Sequence, residues 1–224
     1  MNFKSFSKQF KLTNNQLFSE YFDLFTDSIA IKNKKIAVRK LKIIISATFK
    51  LSASQSFASM SLRQLSEETH ISMGGLYAYI KNKQHLSLTL QRFLNHYGQK
   101  VLSQTDGGLE NIIRTHVYLS EILQPWFFFA FMESKNLTKP MKQYAIKSEL
   151  LTEAYLVTAI EKGQIQGKYK KTLSAQVAAS HIKPLLHDWY LKRWKYRQRK
   201  INIDDFCQSM LIFINDGLKC SKHN

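Results

Sequence analysis

The sequence predicts an all-α protein, on three observations. Only eight glycines and three prolines punctuate 224 residues, too few for a sheet protein that must turn every ten residues or so. Apolar residues recur at the helical three- and four-residue spacing. Ser61 with Gln64, and then Ser72, mark two helix starts in close succession, the pattern of two short helices joined by a tight turn. With 44% hydrophobic, 12% aromatic and 22% charged residues, the chain has the material for an ordinary globular core.

Residues 1–13 are polar and basic. Leu17, Tyr21, Leu24, Phe25 and Ser28 then share one face of a short amphipathic helix within 14–30. The cluster Lys32, Lys34 and Lys35 leads into a stronger helix over about 36–52, whose inward face carries Leu41, Ile44, Ile45, Thr48 and Leu51. The Ser61–Gln64 capping box opens a helix over 62–69. His70 and Ile71 form a break, and Ser72 caps a second short helix bearing Leu76, Tyr77 and Ile80. Asn82 caps a longer helix with the stripe Leu86, Leu90, Phe93, Leu94, Tyr97 and Val101. Asp106-Gly107-Gly108 ends it and marks the boundary between an N-terminal head and a C-terminal body. Further helices are expected near 109–123, 126–136, 139–163, 173–200 and 204–218, separated by Pro125, Pro140, the Gly163 to Gly167 stretch and the 201–203 link. No strand, internal repeat or low-complexity tract is read.

Lysine and arginine outnumber acids 33 to 16, a formal charge of +17. Such a field favours a polyanionic partner, nucleic acid first and an acidic membrane surface second. The longest apolar run, Trp126 to Met132, falls far short of the ~20 residues a bilayer needs. No secretory signal is read, so a cytoplasmic protein without stable membrane insertion is expected. Cys207 and Cys220 match no zinc or redox spacing. The histidines, His70, His85, His96, His116, His181, His187 and His223, form no metal-ligand pair, and no nucleophile motif is present. An enzyme is therefore not expected, and neither is a cofactor.

Function concentrates in Ser72-x-Gly74-x-Leu76-Tyr77-x-Tyr79-x-x-x-Lys83-x-x-Leu86. Ser72 and Gly74 sit at a helix start, where free N–H groups favour an anion. Tyr77, Tyr79 and Lys83 add phenolic and ammonium donors that fix register on a duplex without reading its sequence. The alternative is a pair of ordinary core helices, since Leu62, Leu65, Leu76 and Ile80 also fall at inward spacing. From Ser61 to Leu86 the segment closely resembles the helix-turn-helix of the TetR/AcrR family, and the likeness extends over roughly residues 36–90. It departs from that pattern at Ser56 and His70, where glycine is usual, at Ser66, where a small residue is usual, and at Ile80, where phenylalanine is usual. The resemblance implies DNA contacts from Ser61, Arg63, Gln64, Ser72, Met73, Gly74, Gly75, Tyr77, Tyr79 and Lys83. Met73, Gly74 and Gly75 offer no bidentate group, so readout is expected from Arg63 at a guanine, Met73 at a thymine methyl, and DNA shape.

The resemblance also implies a three-helix head on a larger helical body that dimerises through its last two long helices and holds a small-molecule effector. The expected divisions are an N-terminal extension over 1–35, the DNA-binding domain over 36–102, and a ligand-binding and dimerisation domain over 103–224. Leu185, Trp189, Phe206, Met210, Phe213 and Ile214 form apolar faces suited to packing within or between chains. A homodimer would meet an inverted-repeat operator in double-stranded DNA. The run Trp126, Phe127, Phe128, Phe129 and Phe131 is too clustered for one stripe and serves either packing or an apolar pocket. His116, Tyr118, Phe128, Phe131, Met132 and Tyr155 are the pocket candidates. The basic block Lys192, Arg193, Lys195, Arg197, Arg199 and Lys200 reads as a solvated helix end or an anion site. Lys34, Lys35 and Arg39 read as a minor-groove arm, or residues 14–30 instead as an extra helix packed on the head or body. A ligand-released repressor is the reading these features favour. A ligand-responsive activator, and a charge-driven nonspecific binder of nucleic acid or membrane surfaces, are the alternatives.

Overall fold

The structure is a computed structural model and describes residues 1–10 and 13–219. Among the described residues twelve α-helices follow one another: α1 (Phe3–Phe10), α2 (Asn14–Phe25), α3 (Lys34–Gln55), α4 (Leu62–Thr69), α5 (Met73–Tyr77), α6 (Lys83–Ser103), α7 (Leu109–Ile122), α8 (Gln124–Glu133), α9 (Lys139–Ile165), α10 (Ala175–Leu191), α11 (Arg193–Gln198) and α12 (Ile203–Leu218). The extended pairing described is an isolated bridge between Tyr169 and Lys219. Local signals set most helix starts. Thr13, Asn33, Ser61, Ser72, Ser174 and Asn202 each accept a backbone N–H from their own first turn, as N-cap residues do.

The chain divides into two compact units. A head unit takes Lys11–His96 and Pro125–Ala145, and a body unit takes Met1–Phe10, Tyr97–Gln124 and Ile146–Asn224. Compactness therefore divides the chain differently from the single boundary read at Asp106-Gly107-Gly108. The expected N-terminal extension with one helix is two helices, α1 in the body unit and α2 in the head unit.

In the head unit α2 packs on α3, and α3 on α4. Leu41, Ile44 and Ile45 of α3 are buried with Leu65, Leu76, Ile80, Leu86 and Phe93. The Tyr21 hydroxyl donates to Thr89 Oγ1 at 2.7 Å and is buried. The aromatic run on α8 completes this core. Trp126 lies 4.9 Å from Phe93, 5.1 Å from Phe49 and 6.1 Å from Tyr21, and Phe129 lies 5.2 Å from Phe57, all between ring centroids. Trp126 and Phe129 thus pack, while Phe131 and Met132 are exposed.

In the body unit α7 is buried along most of its length and packs against α1, α10 and α12. Phe6 is fully buried beside the Tyr118 ring. Asp204 Oδ1 accepts from both the Phe3 N–H and the Tyr118 hydroxyl. A Cβ on Gly163 would lie 2.2 Å from the Tyr169 ring, so only glycine admits that buried tyrosine. The helix expected over 173–200 is broken after Leu191. There the Asp188 carboxylate gathers Lys192, Lys195 and Tyr196 across the break, satisfying at one side chain what a continuous helix would spread along its surface.

Four residues expected at a dimer face belong instead to this unit's own core. Trp189 lies 4.9 Å from Phe206 and 5.2 Å from Tyr196, and Met210 and Ile214 are buried. The reason is their register: all four fall on the inward stripes of α10 and α12, two helices that pack on α7. Of the expected set Phe213 is 70% exposed and Leu185 is partly exposed. Val177 and Ile212 are exposed apolar residues on the same two helices.

Candidate nucleic-acid interface

Residues 61–77 form two short helices whose geometry is set by side chains within four residues of each end. Ser61 N donates to Gln64 Oε1 at 2.8 Å while Gln64 N donates to Ser61 Oγ at 3.1 Å, a reciprocal capping box. Gln64 Nε2 also donates to Gln55 Oε1, joining α4 to α3. His70 ends α4 at φ 52°, ψ 35°, the left-handed conformation a helix C-terminus needs and glycine enters most readily. Ser66 Oγ donates to Ile71 O at 2.6 Å and closes the turn. Ser72 Oγ then accepts from Gly75 N at 3.2 Å and starts α5.

The two glycines of α5 differ. A Cβ on Gly75 would meet Ile71 Cγ2 at 2.9 Å, so this glycine is required by packing inside the turn. A Cβ on Gly74 would meet nothing within 4 Å. Nothing inside the protein requires Gly74, and its bare backbone is exposed. Such a site admits close approach by an external backbone.

Beneath these helices the loop over 56–60 is held from two sides. Lys83 Nζ donates to Ala58 O at 2.6 Å and Met60 O at 2.7 Å, and sits 5.3 Å from the Phe57 ring centroid. Burial lowers the Lys83 pKa, against the opposing pull of Glu133. The buried Glu133 on α8 accepts the Phe57 N–H at 3.0 Å and an Asn136 side-chain N–H at 3.0 Å. Glu133 was not found by sequence reasoning. It lies 76 residues from Phe57, and no local pattern reports such a pairing.

The expected DNA-contact residues separate by exposure. Ser61, Arg63, Ser72, Gly74 and Tyr77 are exposed, while Gln64, Met73, Gly75 and Lys83 are half-buried. Arg63 lies 3.4 Å from Glu67 on the surface, and Tyr77 is 53% exposed. Tyr79 is 7% exposed, so its ring belongs to the head core rather than to the surface that was expected of it. Burial raises its phenol pKa, with Arg39 opposing. Lys83 commits two of its three donors to backbone carbonyls and so braces the 56–60 loop.

Lys34, Lys35 and Arg39 lie in the first turns of α3, not in a free arm, and Lys34 pairs with Asp23 at 2.7 Å. In the basic block, Lys192 and Lys195 pair with Asp188, and Arg193 pairs with Glu121. The pocket candidates divide, with Phe128, Phe131 and Met132 in the head unit and His116, Tyr118 and Tyr155 in the body unit. The Tyr118 hydroxyl donates to Asp204 Oδ1, and its ring packs beside Phe6 of α1. Burial pushes the Cys207 thiol up to about 12, while Cys220 and His223 lie outside the described residues. Among the described residues no cluster of His, Cys, Asp and Glu is arranged to hold a metal ion, and no helix is long and apolar enough to cross a membrane.

No family model matches the chain. It is 22% identical over 195 residues to the HTH-type transcriptional regulator HbdR of Aromatoleum sp. (strain CIB), covering 84% of this chain and 81% of that one. Its fold is similar to that of a tetR-family regulatory protein from Rhodococcus RHA1, with a TM-score of 0.70 at 15% identity over 82% of this chain and 98% of that one. It is also similar to that of the ketosteroid transcriptional regulator KstR2 of Mycobacterium tuberculosis, with a TM-score of 0.69 at 13% identity over 87% and 100% of the two chains.

Proposed function

We propose that this chain is a DNA-binding transcriptional regulator of the TetR family that acts as a homodimeric repressor on an inverted-repeat operator, from which a small-molecule effector releases it. The observation that carries the DNA-reading part is the surface of the capped helices. Gly74 stands open there, with Tyr77 and Arg63 exposed and a packed aromatic core beneath. Gly74 lets a phosphate backbone come close, Tyr77 offers it a hydroxyl, and Arg63 reaches toward a base edge. Val177, Ile212 and Phe213 leave apolar surface exposed on α10 and α12. A second copy covering these residues sets two heads on successive major-groove faces and so selects an inverted repeat.

Selection of genomic DNA fragments by the purified protein tests this reading, with Arg63→Ala plus Tyr77→Phe as the control. Lys83 is unsuitable as a control because it braces the 56–60 loop. Recovery of one inverted repeat, lost in the control, is expected. Uniform, salt-sensitive recovery of all fragments would show that the +17 charge alone drives binding. Sedimentation of Phe213→Glu tests the dimer, and a variant as dimeric as the parent refutes the proposed face.

A further inference from the structure

The body unit contains a buried polar cluster that the DNA-binding surface does not use. Lys183 on α10 is 4% exposed, although a lysine is almost never fully buried unless it is paired. Its Nζ lies 3.1 Å from Glu149 Oε1 and donates to Thr152 Oγ1 at 3.0 Å, both on α9. One turn along α10, His187 Nε2 lies 3.8 Å from the same Glu149 oxygen. The His187 ring is 6.4 Å from that of the buried His116 on α7, between centroids. One turn beyond Thr152, the Tyr155 hydroxyl donates to Gln99 Oε1 at 3.1 Å, while Gln99 Nε2 is buried with no acceptor.

The Glu149 side chain is 50% exposed, whereas the ammonium it neutralises is sealed inside. A surface carboxylate thus reaches inward as counter-ion to an interior cation. Any other carboxylate reaching Lys183 can take that place and return Glu149 to water, with no charge left unpaired. We propose that the body unit binds a small organic monocarboxylate whose oxygens replace Glu149 on Lys183 and accept N–H groups from His116 and His187. The single cation of the cluster matches one negative charge. A phosphate dianion would call for an arginine fork or a nest of backbone N–H groups, and neither is part of the cluster. Thr152 adds a hydroxyl, and Gln99 Nε2 is a donor for a second polar atom of the same molecule. The inference rests on the reading of the protein as effector-controlled and names the effector's chemical class.

The test is titration calorimetry of the full chain with two matched pairs, benzoate against benzyl alcohol and octanoate against 1-octanol. At least one carboxylate is expected to bind ten-fold or more tighter than its alcohol. Lys183→Met should abolish that preference, and Glu149→Gln should tighten the carboxylate at least three-fold by removing its competitor. Burial, aided by Lys183 and His187, holds the pKa of His116 well below its ordinary value, while burial and Lys183 lower that of His187 against the opposing pull of Glu149. The ligand carboxylate takes the place of Glu149 beside His187 but is a new negative neighbour for His116 and raises its pKa, so binding near pH 6.5 should take up protons, read by comparing buffers of different ionisation heat. Absence of any preference in the parent protein overturns the proposal, as does a preference that survives Lys183→Met. If Lys183→Met fails to fold by circular dichroism, Glu149→Gln decides, and unchanged carboxylate affinity overturns it. DNA binding is measured on the same samples. Intact operator binding without carboxylate preference defeats this inference alone, whereas absence of operator binding by the parent defeats the regulator reading.

Discussion

Lys83→Met separates a lysine that holds the protein together from one that holds DNA. Its ammonium donates to Ala58 O at 2.6 Å and Met60 O at 2.7 Å. Hydrogen bonds from charged groups contribute about 1.5–3 kcal/mol each at best. Lys83 is half-buried, and methionine keeps the apolar stem beside Phe57, so the loss should be about 2 kcal/mol in total. For a chain of this length that lowers the melting temperature by roughly 4–8 °C. A phosphate ligand behaves differently: its removal lowers the slope of log affinity against log salt by about 0.9 per phosphate, or about 2 for two heads. The assay is thermal unfolding of parent and variant, together with operator affinity between roughly 50 and 200 mM salt. The structure leads us to expect a lower melting temperature and an unchanged slope. An unchanged melting temperature with a slope lower by about 1 or more would refute the structural assignment.

Three further outcomes are expected. Ser56 sits at φ 70°, ψ 150°, a region nearly reserved for glycine, so Ser56→Gly should raise the urea midpoint by an amount equivalent to about 1 kcal/mol, and a lower midpoint counts against strain there. Gly74→Ala should raise helix stability by up to ~1 kcal/mol, because the added methyl meets nothing, yet weaken operator binding at least ten-fold; undiminished binding removes the close-approach argument. Burial pushes the Asp188 carboxyl up, but hydrogen bonds from Lys192, Lys195 and Tyr196 prevail and hold its pKa at about 2. Its stabilisation, about 1–2 kcal/mol, is therefore complete above about pH 4 and lost as pH falls toward 2. The advantage of the parent over Asp188→Asn in urea unfolding should shrink across that interval to a small remainder at pH 2, and an advantage undiminished at pH 2 contradicts the assignment.

The bounds of α4 and the starts of α5 and α6 were legible in the residues, because caps act within four positions of a helix end and Ser61, Gln64, Ser72 and Asn82 carry their instructions locally. The left-handed turn at His70 was legible as a place where glycine is usual, though not the conformation adopted without one. Helical spacing also marked the inward stripes of α3 and α6. Spacing shows that a face is apolar but not what covers it. That choice belongs to the whole fold, which sent Trp126 and Phe129 into the head core, turned Trp189, Phe206, Met210 and Ile214 inward, and left Val177, Ile212 and Phe213 outside. Lys83 and Tyr79 show the same limit for polar groups, since each lies where a DNA contact was expected and each is taken by the protein itself. The chain's local order therefore marked where most of the helices begin, though not α1 or the break between α10 and α11. Only tertiary structure decided which side chains remained free for a partner, because that depends on pairings such as Glu133 with Phe57 and Lys183 with Glu149, made between segments too far apart in the chain for any periodic pattern to link.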